Sequence, residues 1–304
     1  NPVAHRRSAY PIHPARIGAF RHDSARSTRA TAARGCPDAA GADRVLDVDD
    51  LPVAFPLPGP APSVEVHTPA TLPRWAALLE VVLVCGIPTQ LVIGVVLALG
   101  LGIPLLDNGD ISLEFFAILS LVDTAAIALL IKLFLALSGE SSADVFVGTR
   151  PVRGEVLRGL LLLPVVFLLV TGIVLGLRAI APWTHTVAES PLEHYMRTPL
   201  DTAIFAVVAI LAGGVREELQ RAFILHRFEQ RLGGAIVGLV VFSVTFGALH
   251  VNQGIDVATA VGVLGLIWGI LYLKRRSAVM AMVNHGSFNA AQVLQVVLAR
   301  LLGA

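Results

Sequence analysis

The sequence predicts an all-α polytopic membrane protein of about seven transmembrane helices, within a range of six to eight, preceded by a disordered tail. Two observations carry this prediction. Hydrophobic residues fill 55% of the 304 positions and charged residues only 15%, whereas a soluble domain carries about a quarter charged residues. The apolar residues also gather into runs near the roughly 20 residues that a bilayer-spanning helix needs. The net charge of +1 decides nothing, because membrane proteins use the placement of charge rather than its sum. Nucleic acid is not expected as a partner. Lys132 and Lys274 are the only lysines, and apart from Arg216 and Arg221 the arginines of the apolar region stand at or near the ends of its runs.

Residues 1–73 differ in kind from the rest. Arg, Ser, Ala, His and Pro dominate the first 35 positions, and Asp43, Asp47, Asp49, Asp50 and a Pro-rich piece, FPLPGPAPS, follow. No stretch there can bury a core, so a disordered, non-catalytic tail is expected. An organelle transit peptide, a cytoplasmic tail and an over-extended reading frame all fit that composition. Residues 74–304 form the helical membrane domain, with its polar motifs between 200 and 298. Cys36 and Cys85 make no disulfide framework, and Cys85 reads as a small apolar packing residue.

Apolar runs place helices at 75–99, 113–137, 157–180, 202–231, 235–251, 257–273 and 277–302. The loops alternate in charge. Arg74 precedes the first run, and Arg150, Arg153 and Arg158 lie between the second and third. Arg227 and Arg231 close the fourth, and Lys274, Arg275 and Arg276 separate the last two. The intervening loops carry acids or amides, except that Arg178 and Arg197 balance Glu189 and Glu193 in one of them. This alternation predicts a cytoplasmic N-terminus, with Arg300 as the one dissenting charge. Scarce lysine beside abundant Arg and Ala points to a GC-rich genome and a bacterial plasma membrane.

Three polar constellations interrupt the later apolar runs. The first is Glu217-Glu218-x-x-Arg221, preceded by Gly213, Gly214 and Arg216. The second is Phe246-x-x-x-His250, and the third is His285-x-x-x-Asn289. Charges within a membrane-length helix are costly and generally face a protein interior or a wet cavity. Glu217 lies 16 residues before Gly233, and His250 lies 16 after Gly234. At 1.5 Å per residue, a hairpin at this glycine pair sets both about 24 Å from the turn. His285 and Asn289 lie roughly 13 to 20 Å into the last helix, entered from the same side. Spacing of i and i+4 puts Glu217 with Arg221, Phe246 with His250, and His285 with Asn289 on shared faces. The constellations therefore converge on one buried site.

Taken together and in this order, the three motifs resemble those of the CAAX protease and bacteriocin-processing (CPBP, ABI) family of intramembrane proteases, the type II CAAX prenyl endopeptidases. The resemblance covers about residues 200–298. It implies hydrolysis of a peptide bond in a membrane-associated peptide or protein. Glu217 would activate water, assisted by His250. His285 and Asn289 would hold the oxyanion or the scissile carbonyl, and Glu218 and Arg221 would orient the site. Amide hydrolysis requires a base for water and a donor for the oxyanion, and a carboxylate in an apolar helix is expected to have a raised pKa. A zinc ion held by Glu217, His250 and His285 is the alternative. No HExxH motif is present, and the residue types suit a metal-free glutamate mechanism slightly better.

Simpler readings compete. Glu217, Glu218 and Arg221 could form only a structural ion-pair cluster, and His285 and Asn289 only interhelical hydrogen bonds. An ion- or proton-coupled transporter also uses buried carboxylates and histidines, and a non-catalytic membrane scaffold could keep the fold. No internal repeat supports transport. Asp123 is read as a cavity-lining or substrate-contacting residue. His226, with Arg227 and Glu229, is read as helix-end surface, and His185 and His194 as solvated loop residues. Gly262, Gly265 and Gly269 are read as close-packing positions.

Overall fold

The computed structural model describes residues 72–188 and 190–303. The predicted tail, apart from Leu72 and Pro73, lies outside the described residues. Helices stand at all seven predicted places, but two are broken or reshaped. Helix α1 (Arg74–Val84) meets α2 (Ile87–Val95) at a bend of 50°. Gly86 supplies the positive φ of 92° at this break, and Pro88 fixes the first turn of α2. A π-helical turn (Val96–Gly100) and a two-residue hairpin, β1 (Leu106–Asp107) with β2 (Asp110–Ile111), lead to α3 (Leu113–Leu137). The Ser112 hydroxyl caps α3 by accepting from the Phe115 amide at 3.2 Å. A short α4 (Ser142–Phe146) precedes α5 (Val152–Ile180).

Helix α6 (Pro199–Val208) opens with a reciprocal cap between Thr198 and Asp201. It passes through a π-helical segment, Ala209–Arg216, into α7 (Glu217–Arg231). The remaining elements are α8 (Ala235–Ala248), α9 (Ile255–Arg275) and α10 (Val279–Leu302). By length and composition α3, α5, α6 through α7, and α9 can each cross a membrane, and the bent α1–α2 pair makes a fifth span if counted as one. Helix α8 has only 14 residues. Helix α10 has 24, but its polar face keeps it out of that group. The expected seven spans are thus seven helical rods, of which four or five meet the criteria for a span.

Two apolar clusters hold the rods together. Ile127, Ile131 and Leu135 of α3 pack on Phe223 and Leu225 of α7, with Leu239 and Tyr272. Val166 of α5 packs with Phe246 of α8, Leu264 and Trp268 of α9, and Phe288 of α10. Leucines on the outer faces, such as Leu129, Leu168 and Leu301, are exposed, as lipid-facing residues must be. The glycines of α9 work as expected. Gly262 lies against Gly247, and Gly265 against Ser243 and Phe246, where any added carbon would crowd α8.

The basic loops meet at one end of the bundle and are neutralised there. Arg275 reaches Glu155 with both Nε and NH2, at 2.5 Å each. Arg276 pairs with Glu229, and Arg150 donates to the Arg275 carbonyl at 3.0 Å. Arg227 is not surface, as the sequence suggested, but fully buried. Its Nε donates to Glu80 at 2.6 Å and its NH1 to Glu140, which also accepts from His226 and Gln230. The error is physical: a charge at the end of one helix reads as surface until a second helix brings counter-ions. At the other end Asp256 is buried against Arg178 (2.8 Å) and His185 (3.1 Å), so His185 is paired rather than simply solvated.

Removing one partner of a buried pair costs about 3–5 kcal/mol. Arg227→Met, which strands Glu80 and Glu140, is expected to lower stability by that amount in a denaturation assay in detergent micelles. Burial raises the proton affinity of Glu140, yet hydrogen bonds from Arg227, His226 and Gln230 outweigh it and leave the carboxyl below its ordinary value of 4.5. This depressed group contributes stability that is complete above the unfolded value and lost as pH falls through the lower folded one. Melting temperatures measured downward from pH 6 should therefore fall faster for the wild type than for Glu140→Gln.

Candidate active site

The π-helical segment sets the first motif. Each π turn adds one residue to the i→i+4 ladder and offsets the helix face that follows, a feature frequent at functional sites. Here the extra residues come before Glu217 and contain Gly213 and Gly214. Gly214 lies against Gly286 of α10. A Cβ built on Gly214 would stand 2.5 Å from the Gly286 Cα, and one on Gly213 would overlap the Asn289 amide. Only a glycine at position 214 lets the π-helical segment and α10 come this close. Asn289 closes the contact by donating from Nδ2 to the Ala209 carbonyl at 2.9 Å.

Glu218 and His285 meet as a result. Glu218 is buried and accepts from His285 Nδ1 at 2.9 Å and from Arg221 NH1. Of the two acids, Arg221 therefore pairs with Glu218, while Glu217, expected to share its helix face, is not its partner among the described residues. Arg221 is fully buried in an aromatic cage, its guanidinium carbon 4.8 Å from the Phe246 ring centre, 4.9 Å from Phe242 and 5.4 Å from Trp268. Trp268 also stacks on His285 at 3.9 Å. Its indole Nε1 donates to Asn284 Oδ1 at 2.8 Å, and the Asn284 amide donates to the Gly159 carbonyl at 3.0 Å. His285 is thus fixed from one side by a carboxylate and from its face by an indole that is itself anchored.

Glu217 is more open. Its Oε2 stands 3.9 Å from His285 Nε2, and its Oε1 stands 3.6 Å from Arg216 NH2. The first separation is too long for a direct hydrogen bond and suits a bridging water. With Nδ1 donating to Glu218, the neutral His285 ring carries its lone pair on Nε2, facing Glu217.

His250 is placed differently. The hairpin register holds, for Arg221 and Phe246, each 12 residues from the glycine turn, do meet. Helix α8 ends at Ala248, however, and His250 folds back so that its Nδ1 donates to the Phe246 carbonyl at 2.7 Å. It stands 4.8 Å from the Phe246 ring, which in turn meets His285 edge-on at 6.3 Å. No ion pair joins His250 to Glu217 among the described residues. The geometry therefore brings Glu217, Glu218, Arg221, His285 and Phe246 together, holds Asn289 against the π-helical segment, and leaves His250 beside Phe246.

A zinc ion does not fit this arrangement of donors. Among the described residues no three His, Cys, Asp or Glu side chains converge as ligands. Both His285 nitrogens face carboxylates, and His250 turns to a backbone carbonyl.

Sequence reasoning named Arg216 and Asp123 but not their pairing, and it missed Thr89 and Gln90 beside them. Arg216 donates to Asp123 at 2.7 Å, and Asp123, fully buried on α3, also accepts from Thr89 and, at 3.2 Å, from Gln90. The available signal was the break at Gly86 and Pro88, which turns two polar residues inward.

Residues 199–291 match the family described as Rce1-like, type II CAAX prenyl endopeptidase Rce1-like. The matched stretch contains all three motifs. Nothing among curated proteins or solved structures matches the chain significantly.

A bulky residue at position 214, where the π-helical segment meets α10, must push Glu218 from His285. Gly214→Val is expected to reduce activity at least tenfold. Gly172→Val, at an α5 position with open space around it, should have no effect in the same assay.

Proposed function

We propose that this protein is an intramembrane endopeptidase of the CAAX-processing type, which hydrolyses a peptide bond of a membrane-associated substrate by a glutamate-activated water. The family match supports protease chemistry at the membrane. The observation that carries the mechanism is the 3.9 Å gap between Glu217 Oε2 and His285 Nε2, inside the bundle and next to a fixed Glu218–His285 pair. A water seated there donates one hydrogen to each group. Glu217 takes the proton as the water oxygen adds to the scissile carbonyl carbon. The same proton passes to the amide nitrogen as the C–N bond breaks, leaving a carboxylic acid and an amine.

Glu218 and Arg221 act through His285, holding its Nε2 on the water. Asn289 has a second amide hydrogen beyond the one given to Ala209, and this is assigned to the oxyanion. His250 sits outside pairing range of Glu217 and gives its Nδ1 hydrogen to the Phe246 carbonyl, so its part is taken by accepting from the leaving amine through Nε2 rather than through the base. A metal-assisted reaction with Glu217, His250 and His285 as ligands would require His250 to swing away from the Phe246 carbonyl. The basic end of the bundle is assigned to the cytoplasm.

The experiment is a comparison of membrane-fraction proteomes from cells with wild-type protein or Glu217→Gln. A precursor should accumulate in the variant, and its cleavage by purified protein should fall by about 10²–10⁴-fold. If no precursor accumulates and the variant instead loses uptake of a solute, the protein is a transporter. Cleavage that stops in a chelator and returns with added zinc would replace the metal-free mechanism.

A further inference from the structure

Glu217 is half-buried, and among the described residues its carboxylate comes within ion-pair range of Arg216 and His285 alone. Arg216 is the last residue of the π-helical segment, with its side chain 12% exposed. Arg216 gives NH1 to Asp123 Oδ2 at 2.7 Å and sets NH2 3.6 Å from Glu217 Oε1, while its Nε is buried with no partner among the described residues. Asp123 is completely buried and held from a third element. Thr89 donates to its Oδ1 and Gln90 to its Oδ2, both from the first turn of α2. Gln220 fixes the start of that turn by donating to the Val84 carbonyl, freed by the break, at 2.6 Å. The break between α1 and α2 and the segment before Glu217 are therefore linked through one carboxylate and one guanidinium.

We infer that Asp123 and Arg216 form a positioning pair for the glutamate base. Asp123 draws the guanidinium away from Glu217, so that Arg216 steadies Oε1 loosely and leaves Oε2 directed at His285. This inference rests on the protease reading of the site. The planar guanidinium suits the task because it presents several donors in a fixed fork and can face two carboxylates at once. A 2.7 Å bond to Asp123 against a 3.6 Å approach to Glu217 states the division of labour. Were the distances reversed, Glu217 would be tied in a tight ion pair and unavailable to a water. A purely structural role would need only the bond from α3 to the π-helical segment. The close approach to Glu217 and the unpartnered Nε would then have no part to play.

The test compares Asp123→Asn, Arg216→Lys and Arg216→Gln in the full chain, reconstituted in vesicles. The first readout needs no substrate. A hydrophobic carbodiimide labels carboxyl groups not held in an ion pair, and mass spectrometry reports labelling at Glu217. Asp123→Asn frees Arg216 to bind Glu217 and should lower the labelling several-fold. Arg216→Gln should raise it, and Arg216→Lys should fall between. The second readout uses the precursor identified with Glu217→Gln. There kcat should fall about tenfold or more in Asp123→Asn and Arg216→Gln with KM within twofold, and Arg216→Lys should recover part of the loss.

Unchanged labelling and wild-type kcat in all three variants would overturn the inference, and so would losses that track melting temperature alone. If Arg216→Gln fails to fold, Arg216→Lys decides, because its compact ammonium cannot face both carboxylates and wild-type kcat would then reject the pair. A Glu217→Gln variant that still cleaves would reject the protease mechanism instead, leaving the labelling result to judge the pair by itself.

Discussion

The site depends on the contact between Gly214 and Gly286, where two helix backbones touch with nothing between them. Hydrogen bonding explains why such closeness is needed. Glu218 and His285 have short reach from their backbones, and a buried carboxylate or imidazole without partners is costly. Bringing the helices together lets Glu218 satisfy His285 and Arg221 at once. A separation larger by one methyl group would leave charge in an apolar interior. The Asn289 bond to Ala209 acts on the same contact from the other side, giving a partner to a carbonyl that the π-helical ladder offsets.

The remaining buried charges follow the same rule at lower chemical stakes. Arg227 with Glu80 and Glu140, Arg275 with Glu155, and Arg178 with Asp256 each tie together elements distant in sequence. Each is placed near one end of a helix, where desolvation is least severe. The charges around Glu218 lie deeper, and there aromatic rings take the place of water. Phe242, Phe246 and Trp268 surround Arg221 and offer its guanidinium their π faces. This cage explains why Phe246, an apolar member of a polar motif, belongs with the site.

Much of this was legible in the sequence. Hydropathy located every rod, because lipid imposes uniform apolarity over a set length. The glycine turn fixed the α7–α8 register closely enough to put Arg221 opposite Phe246. Four features escaped. Residue counting assumes an unbroken α-helix, so it could not see the π-helical segment that shifts Glu217 and Glu218. It carried His250 along α8, although that helix ends two residues earlier. It could not show that Arg227 is enclosed, nor that Asp123 pairs with Arg216, because the partners of both come from helices about 90 to 150 positions away. Local pattern encodes the faces of helices, whereas the choice of counter-ion is decided by assembly.

One dimension of the bundle has a consequence for its surroundings. Fourteen residues give α8 a length of about 21 Å, some 9 Å less than a hydrocarbon layer about 30 Å thick. Lipid tails cannot leave such a depth empty, so a bilayer crossed by this helix must thin beside it and bring headgroups closer to the helix ends. Under the proposed function, water and a membrane-held peptide would then have to cross only part of the layer to meet.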